Sequence, residues 1–302
     1  MTVSQPLSAP RAVAPAYRFA IDPSEVARFR RLLPGATDAG TGAPLAGTSV
    51  PAFFLCRALP PAVRSALAGT GADAAAVRHA GQRITLHRRP GPDERLTAHA
   101  VVESVGDYGF QRAVVLRVTL RDAADGAVAE LLTTLAIGPA TGQGRIDPPP
   151  AAVLRGPPLL RWHARVPDDL PERYARASGD DNPIHTDADA ARRAGLPGVV
   201  LHGMATLQLA AAGVTERLFG GDETRWREVR TRFARPVRPG DTIAFTVHRD
   251  ETYHDEAYRT EGYREEAYRA EGAAPGGDVL GLTASVDGNP VLKDTWFSGA
   301  VA

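Results

Sequence analysis

The chain has 302 residues, a length at which two domains of about 150 residues each are expected. Its 35 basic and 35 acidic side chains give a formal net charge of zero, which argues against nucleic acid or an anionic membrane surface as the main partner. Hydrophobic residues make up 43% and charged residues 23% of the sequence, as in an ordinary soluble globular protein.

The beginning of the sequence and its cysteine content predict a cytoplasmic protein. Cys56 is the single cysteine, which excludes an internal disulfide and fits a reducing compartment. The stretch from Met1 to Phe19 has no continuous apolar core of the length that a signal peptide needs. No apolar run approaches the roughly 18 residues of a membrane span. Residues 1–16, rich in proline, alanine and serine, are predicted to form a flexible tail.

Residues 17–140 are predicted to contain helices followed by strands. The main helix of this half is expected at Ala52–Ala58, with Pro60 and Pro61 close behind it. These prolines must interrupt or restart the helix, because each removes a backbone donor and clashes with the preceding turn, and we expect them to shorten it. Strands are then indicated by β-branched and apolar residues between turn signals, at 84–87, 96–103, 113–120 and 128–137.

The second half repeats this order. Residues 141–160, which contain a run of three prolines, are predicted to be an extended linker. Residues 161–302 hold one apolar helix and then further strands, so the two halves imply a duplicated α+β domain. The heptapeptide Glu256–Gly262 recurs with one change as Glu266–Gly272, which predicts an inserted hairpin loop at about 253–277.

The residues with chemical potential fall in one turn of the second half. Residues 178–185 include an acid, an amide and an imidazole, namely Asp180, Asn182 and His185, and glycine and proline break any regular period there. Apolar residues at spacings of three and four predict a helix at Gly203–Leu218. A carboxylate, an imidazole and a helix N-terminus are what acid–base chemistry beside a polarised carbonyl requires.

The motif Ser178-Gly-Asp-x-Asn-Pro-Ile-His185, followed by His202-Gly203-Met204, resembles the signature of MaoC-like hydratases, the (R)-specific enoyl-CoA hydratases also called hydratase 2. The resemblance covers about the last half of the chain. It implies two tandem hotdog folds, each a curved antiparallel sheet around a central helix, paired as an intrachain pseudo-dimer. The half at 17–140 lacks the acid–imidazole turn and is expected to be non-catalytic, whereas the half at 161–302 is expected to be catalytic.

The resemblance also implies roles for individual residues. Asp180 and His185 would hold the reacting water, and the backbone N–H of Gly203 would bind the thioester oxygen. Asn182 is expected to shape the turn, and no cofactor or metal ion is expected. The implied reaction is the reversible hydration of trans-2-enoyl thioesters to (R)-3-hydroxyacyl thioesters in fatty-acid or polyketide metabolism. Which of Asp180 and His185 acts as the acid and which as the base stays open.

Two other functions stay open at this point. A hotdog thioesterase would use a carboxylate against a similar helix N-terminus, and a non-catalytic subunit would only bind acyl thioesters. The expected partner is an enoyl or 3-hydroxyacyl thioester of coenzyme A or acyl carrier protein, and a homodimer is a candidate assembly. Arg230, Arg232 and Arg235 lie in one strand region and are candidates for binding the phosphates of the carrier; a solvated strand face is the alternative.

The helix of the first half bears on the length of the acyl chain. If the prolines shorten this helix, space is left beside the catalytic helix, and an apolar tail could occupy it. Phe53, Phe54 and Leu55 are candidates for lining that space, with core packing as the alternative. We therefore expect medium or long enoyl chains to be preferred over the four-carbon crotonyl chain.

Overall fold

The computed structural model describes residues 11–12, 16–33, 50–68, 77–147, 154, 157–250 and 279–299. Within these ranges, eleven strands form one sheet in which neighbouring strands run antiparallel. The strands are β1 (Arg11–Ala12), β2 (Tyr17–Ala20), β3 (Arg78–Leu86), β4 (Arg95–Tyr108), β5 (Gln111–Arg121), β6 (Ala127–Pro139), β7 (Leu160–Arg165), β8 (Glu228–Phe233), β9 (Thr242–Asp250), β10 (Val279–Val286) and β11 (Asn289–Ser298). The α-helices are α1 (Pro23–Arg30), α2 (Leu59–Leu67), α3 (Leu170–Ser178), α4 (Ala188–Arg193) and α5 (Gly203–Leu218).

The order of the strands shows two halves joined side by side. The sheet runs β1-β4-β5-β6-β3 through the first half and continues as β8-β11-β10-β9-β7 through the second, and β2 also pairs with β4. The halves meet at β3 and β8, where Gly81 lies opposite Arg232 and Thr85 lies opposite Glu228. This arrangement confirms the predicted α+β class, with the two halves paired within one chain.

Strand β5 shows why these segments form a half-buried sheet. Leu116 and Val118 are completely buried, whereas Arg117 between them points to the other face. Arg117 forms ion pairs with Glu103 of β4 and Glu130 of β6, each at 2.6 Å. The alternation therefore places an apolar row against the helices and cross-strand ion pairs on the opposite face.

Helix α5 is the buried helix of the second half, and ten of its 16 residues are buried, as expected for a helix inside the core. It approaches the sheet most closely at Gly213. A Cβ atom at Gly213 would overlap the indole ring of Trp162 in β7. That ring is stacked on Phe245 of β9, with the ring centroids 4.7 Å apart. The absence of a side chain at Gly213 thus sets the distance between helix and sheet.

The prolines of the first half begin an α-helix. A 3-10 helix, Ala52–Ala58, leads directly into α2, and Pro60 and Pro61 lie in the first turn of α2. The prediction that they shorten the helix is wrong, and the alternative that they restart it is correct. Amide groups in the first turn of a helix have no intrahelical acceptor, so proline loses no hydrogen bond there, and its fixed φ suits the helix.

The tail predicted for residues 1–16 requires one correction. Arg11 and Ala12 form strand β1, opposite Val102 and Val101 of β4, because the outer edge of β4 offers unpaired backbone groups. Residues 1–10 and 13–15 lie outside the described residues.

The segment that follows β6 was predicted to be a linker, residues 141–160. Its first part lies against β4, where the Ile146 N–H donates to the Asp107 carbonyl at 2.8 Å. The linker and domain boundaries stay predictions. The inserted hairpin loop predicted at about 253–277 lies outside the described residues. No helix in the described part of the chain has the length and apolar character needed to cross a membrane.

Replacing Gly213 with alanine is expected to destabilise the fold, although alanine is the better helix former. The added methyl group overlaps the Trp162 ring, and overpacking of this kind costs about 3 kcal/mol. Helix propensity returns only about 1 kcal/mol. The midpoint of urea unfolding should therefore fall. Gly198→Ala is the matched control, because a Cβ there has no neighbour within 4 Å. Equal midpoints for the Gly213 variant and the wild type would contradict this packing.

Candidate active site

The turn that carries Asp180 follows helix α3 directly. The helix ends at Ser178, and Gly179 adopts the left-handed conformation with a φ of 75°, which is the common way for glycine to end a helix. The Gly179 N–H donates to the carbonyl of Ala175 at 3.0 Å. The next N–H, that of Asp180, donates to Ser178 Oγ at 3.2 Å. Because α3 ends abruptly at Gly179, the chain changes direction immediately before Asp180.

Asn182 connects the two ends of this turn. Its side-chain oxygen accepts the N–H of Ile184 at 3.3 Å, and its own N–H donates to Asp180 Oδ1 at 3.3 Å. The 3-10 helix Pro183–His185 starts immediately after it. These bonds hold the carboxylate of Asp180 and the imidazole of His185 on one short, rigid segment.

His185 is held in one tautomer. Its ring is 8% exposed, and its Nδ1 lies 2.8 Å from the carbonyl oxygen of Val200. A carbonyl oxygen only accepts hydrogen bonds, so Nδ1 carries the proton and Nε2 keeps a free lone pair. Burial lowers the pKa of His185, and the charge of Arg78 lowers it further, while Asp180 acts in the opposite direction. The imidazole is therefore neutral near pH 7 and is able to accept a proton at Nε2.

His202 lies next to His185 and touches both ends of the turn. Its Nε2 donates to the backbone carbonyl of Asp180 at 3.2 Å. Its ring stacks on the ring of His185, with the centroids 3.6 Å apart and the planes at 24°. Burial, followed by the neighbouring His185, lowers the pKa of His202 to about 3. His202 is therefore also neutral.

Gly203 places the N-terminus of α5 beside this pair of rings. A Cβ atom at Gly203 would lie 2.9 Å from Cδ1 of Phe233, so only glycine lets the helix begin against this ring. The Gly203 N–H belongs to the first turn of α5, whose N–H groups have no acceptor within the helix. The positive end of the helix dipole therefore lies at the cavity that Asp180 and His185 also line.

These groups line a cavity of about 400 Å³ between the two halves, a volume within the range of small-molecule sites. From the first half, Cys56, Leu59, Pro60 and Val63 form an apolar wall.

The expectation that Phe53, Phe54 and Leu55 line this space is wrong. All three are buried in the hydrophobic core, where the Phe53 ring packs against Trp226 and the Phe54 ring against Phe29.

Strand β3 of the first half supplies two polar residues that the sequence motifs did not indicate. Arg78 lines the cavity and donates from Nη2 to the Ala194 carbonyl of the second half at 2.6 Å. His79 lines it too, with Nε2 3.1 Å from Gln82 Oε1 and its ring edge against Phe233. Burial lowers the pKa of His79 to about 4. Only the pairing of β3 with β8 brings these residues to the site, and no local sequence signal could have found them.

The three candidate arginines occupy different environments. Arg232 forms an ion pair with Asp294 at 2.5 Å, and the guanidinium of Arg230 lies 4.2 Å from the centroid of the Trp296 ring. Arg235 is exposed and is the member of the three that lines the cavity. Arg235 is therefore the one placed to meet a ligand that enters there.

Asp180, His185 and His202 each offer a ligand atom, and these atoms lie within 4.8 Å of one another. A zinc ion would need in-plane nitrogen lone pairs that converge on one point about 2.0 Å away. The two imidazoles are instead stacked nearly parallel, so their lone pairs do not converge. The same limit of 4.8 Å admits a bridging water molecule, because a water bonded to two groups at about 2.8 Å spans about 4.6 Å.

Comparison with known proteins agrees with this arrangement. Residues 151–268, which contain the turn, His202 and Gly203, match the family model described as MaoC like domain. Residues 151–268 are a MaoC-like domain. Over 186 residues the chain is 33% identical to 3-hydroxyacyl-thioester dehydratase Y of Mycobacterium tuberculosis, which covers 59% of this chain and 63% of that protein. The chain thus spans less than two thirds of the length of this relative.

Solved structures extend the likeness to the half outside the matched domain. A MaoC-like dehydratase from Phytophthora capsici superposes with a TM-score of 0.71 at 21% identity, covering 98% of both chains. A Mycobacterium tuberculosis protein described as having a double hotdog fold superposes with a TM-score of 0.55 at 19% identity, covering 97% of this chain and 96% of that one. The predicted double hotdog fold is confirmed, with the MaoC-like domain as its second half.

The buried imidazoles should make the stability of the protein depend on pH. In the unfolded chain His185 and His202 titrate near pH 6.5, whereas burial lowers the pKa of both in the folded protein. Between these values the unfolded state binds more protons, so stability should fall as the pH drops below about 6.5. Each histidine contributes a slope of up to about 1.4 kcal/mol per pH unit.

The check is the urea unfolding midpoint measured from pH 7.5 to 4.5 for the wild type and for His202→Gln. The variant lacks the imidazole of His202, so its midpoint should vary less steeply with pH. A wild-type midpoint that stays constant between pH 7 and 5 would contradict the neutral, buried state of these rings.

Proposed function

We propose that this protein catalyses the reversible hydration of trans-2-enoyl thioesters to (R)-3-hydroxyacyl thioesters. The observation that carries the proposal is the free Nε2 lone pair of a neutral His185, on the same cavity wall as Asp180 and Gly203. The name of the Mycobacterium tuberculosis relative, a 3-hydroxyacyl-thioester dehydratase, describes the same reaction in the opposite direction. Fatty-acid or polyketide metabolism is the setting we propose.

In the hydration direction, one water lies between the Asp180 carboxylate and His185 Nε2. His185 accepts a proton from this water as its oxygen bonds to C3 of the substrate. The π electrons move towards the thioester carbonyl, and the proton on Nε2 is then delivered to C2 on the same face. Asp180 holds the second hydrogen of the water and stabilises the imidazolium. In dehydration the same steps run in reverse, so His185 acts as base or acid according to direction.

The thioester oxygen gains negative charge in this step, and we assign its stabilisation to the N–H of Gly203. The N-terminus of a helix with 16 residues adds a favourable dipole at that point. Loss of one such donor typically raises a barrier by about 3 kcal/mol. Phe233 occupies the space where a Gly203 side chain would lie, and both residues line the cavity.

The carrier of the acyl group, coenzyme A or acyl carrier protein, is proposed to approach past Arg235. The ion pair of Arg232 and the aromatic contact of Arg230 support assigning phosphate binding to Arg235 before the other two. We propose a cytoplasmic location, with which a single buried cysteine agrees, and a homodimer as the assembly to be tested.

Replacement of either catalytic residue should abolish hydration without unfolding the protein. Asp180→Asn and His185→Gln each remove a partner of the same water, so each should lower kcat by about 1,000-fold or more. Asp181→Asn is the matched control, since the Asp181 side chain is 90% exposed and lies beside Asp180 in the sequence. The rate of crotonyl-CoA hydration measures the loss of activity, and thermal melting measures whether the fold is unchanged. Near-normal kcat in either variant would refute the assignment.

The apolar wall formed by α2 should favour acyl chains longer than four carbons. Each CH₂ group buried against Leu59, Pro60 and Val63 contributes up to about 0.8 kcal/mol. The ratio kcat/KM, measured for enoyl-CoA substrates of four to twelve carbons, should therefore reach its maximum above four carbons. A maximum at four carbons with a steep decline would mean that the first half closes the site without binding the chain.

A further inference from the structure

His202 has no part in the proposed reaction, although it lies beside every group that has one. It directly precedes Gly203 and is the N-cap residue of α5, yet its side chain makes no capping hydrogen bond. The residue is 1% exposed. Its role is therefore neither contact with solvent nor the usual satisfaction of a helix end.

The hydrogen bonding of His202 is incomplete in a way that stability does not explain. Nε2 donates to the Asp180 carbonyl, so in the neutral ring Nδ1 is left as an acceptor. Nδ1 is buried and has no hydrogen-bond partner among the described residues. A buried, unpartnered polar atom is a cost, and a phenylalanine of similar shape would avoid it. The value of an imidazole at this position therefore lies in the hydrogen bond from Nε2 and in the packing of the ring.

Three contacts link His202 to the groups of the proposed reaction. The bond from Nε2 fixes the backbone at Asp180. The ring face covers His185 at 3.6 Å, and Tyr174 packs against His202 with the centroids 4.8 Å apart. Through the chain, His202 is bonded to the N–H of Gly203. The side chain of His202 thus connects Asp180, His185 and the N–H donor of Gly203.

We propose that His202 is a positioning residue that sets Asp180 and His185 at the correct place relative to the Gly203 N–H. This inference rests on the proposed hydration. Its physical basis is that the reacting water must contact two groups while the thioester oxygen contacts the third, and displacements of about 1 Å cost such reactions up to about 100-fold in rate. Although His202 is among the residues that line the cavity, the proposal has it act through Asp180 and His185 and not through a bond to the substrate.

Two variants separate the contributions of His202. His202→Phe keeps a ring against His185 and loses the donor to Asp180, while His202→Gln keeps an N–H donor and loses the ring. We expect His202→Phe to lower kcat by about 100-fold with KM changed less than about threefold, and with an unchanged or higher melting temperature. The kcat of His202→Gln should lie between those of His202→Phe and the wild type.

A readout independent of activity accompanies the kinetics. A nitrogen-15 titration of the imidazoles measures the pKa of His185, which burial lowers and the charge of Asp180 raises. This pKa should therefore be lower in His202→Phe, because Asp180 is no longer held in place there. If the wild type hydrates enoyl-CoA and both variants have kcat within about threefold of it, the positioning role is refuted. A rise in KM at constant kcat would refute it too, since His202 would then bind substrate. A wild type without hydration, combined with a lower pKa of His185 in His202→Phe, would refute the proposed reaction and support the positioning role.

Discussion

The pairing of β3 with β8 is the constraint on which the site depends. This pair turns two half-sheets into one and fixes how the halves face each other across the cavity. A buried ion pair strengthens it: Arg83 of β3 lies 2.8 Å from Glu228 of β8, and Thr85 donates to the same carboxylate at 3.0 Å. Removing one partner would leave a buried charge, at a cost of about 3–5 kcal/mol. The same register brings Arg78 and His79 to the cavity.

Burial of the imidazoles serves the proposed chemistry in two ways. A low-dielectric surrounding disfavours the charged ring, which keeps His185 neutral and basic at Nε2 while its other nitrogen is bound to Val200. It also strengthens the interaction of a helix N-terminus with a developing negative charge. Because His202 fills the space behind His185, bulk water has no access from that side.

The turn and helix α5 could be predicted from the sequence because their determinants are local: a helix-ending glycine, a capping amide and apolar spacing. Positions that depend on pairing between the halves could not be predicted, and so Arg78 and His79 were missed. Proline is compatible with the residues just after a helix and with the first turn of a helix. The sequence did not show that α2 begins at Leu59, which places Pro60 and Pro61 in a first turn. The side chain of Phe53 packs in the core against Trp226, a contact between residues far apart in the sequence that local patterns do not reveal.

The measurement that tests the central claim most directly is product analysis after incubation with a trans-2-enoyl-CoA in deuterated water. A water held between Asp180 and His185 predicts (R)-3-hydroxyacyl-CoA, with deuterium at C2 added to the same face as the hydroxyl group and with no release of free coenzyme A. Free coenzyme A together with an acid that keeps its double bond would contradict the account and identify a thioesterase.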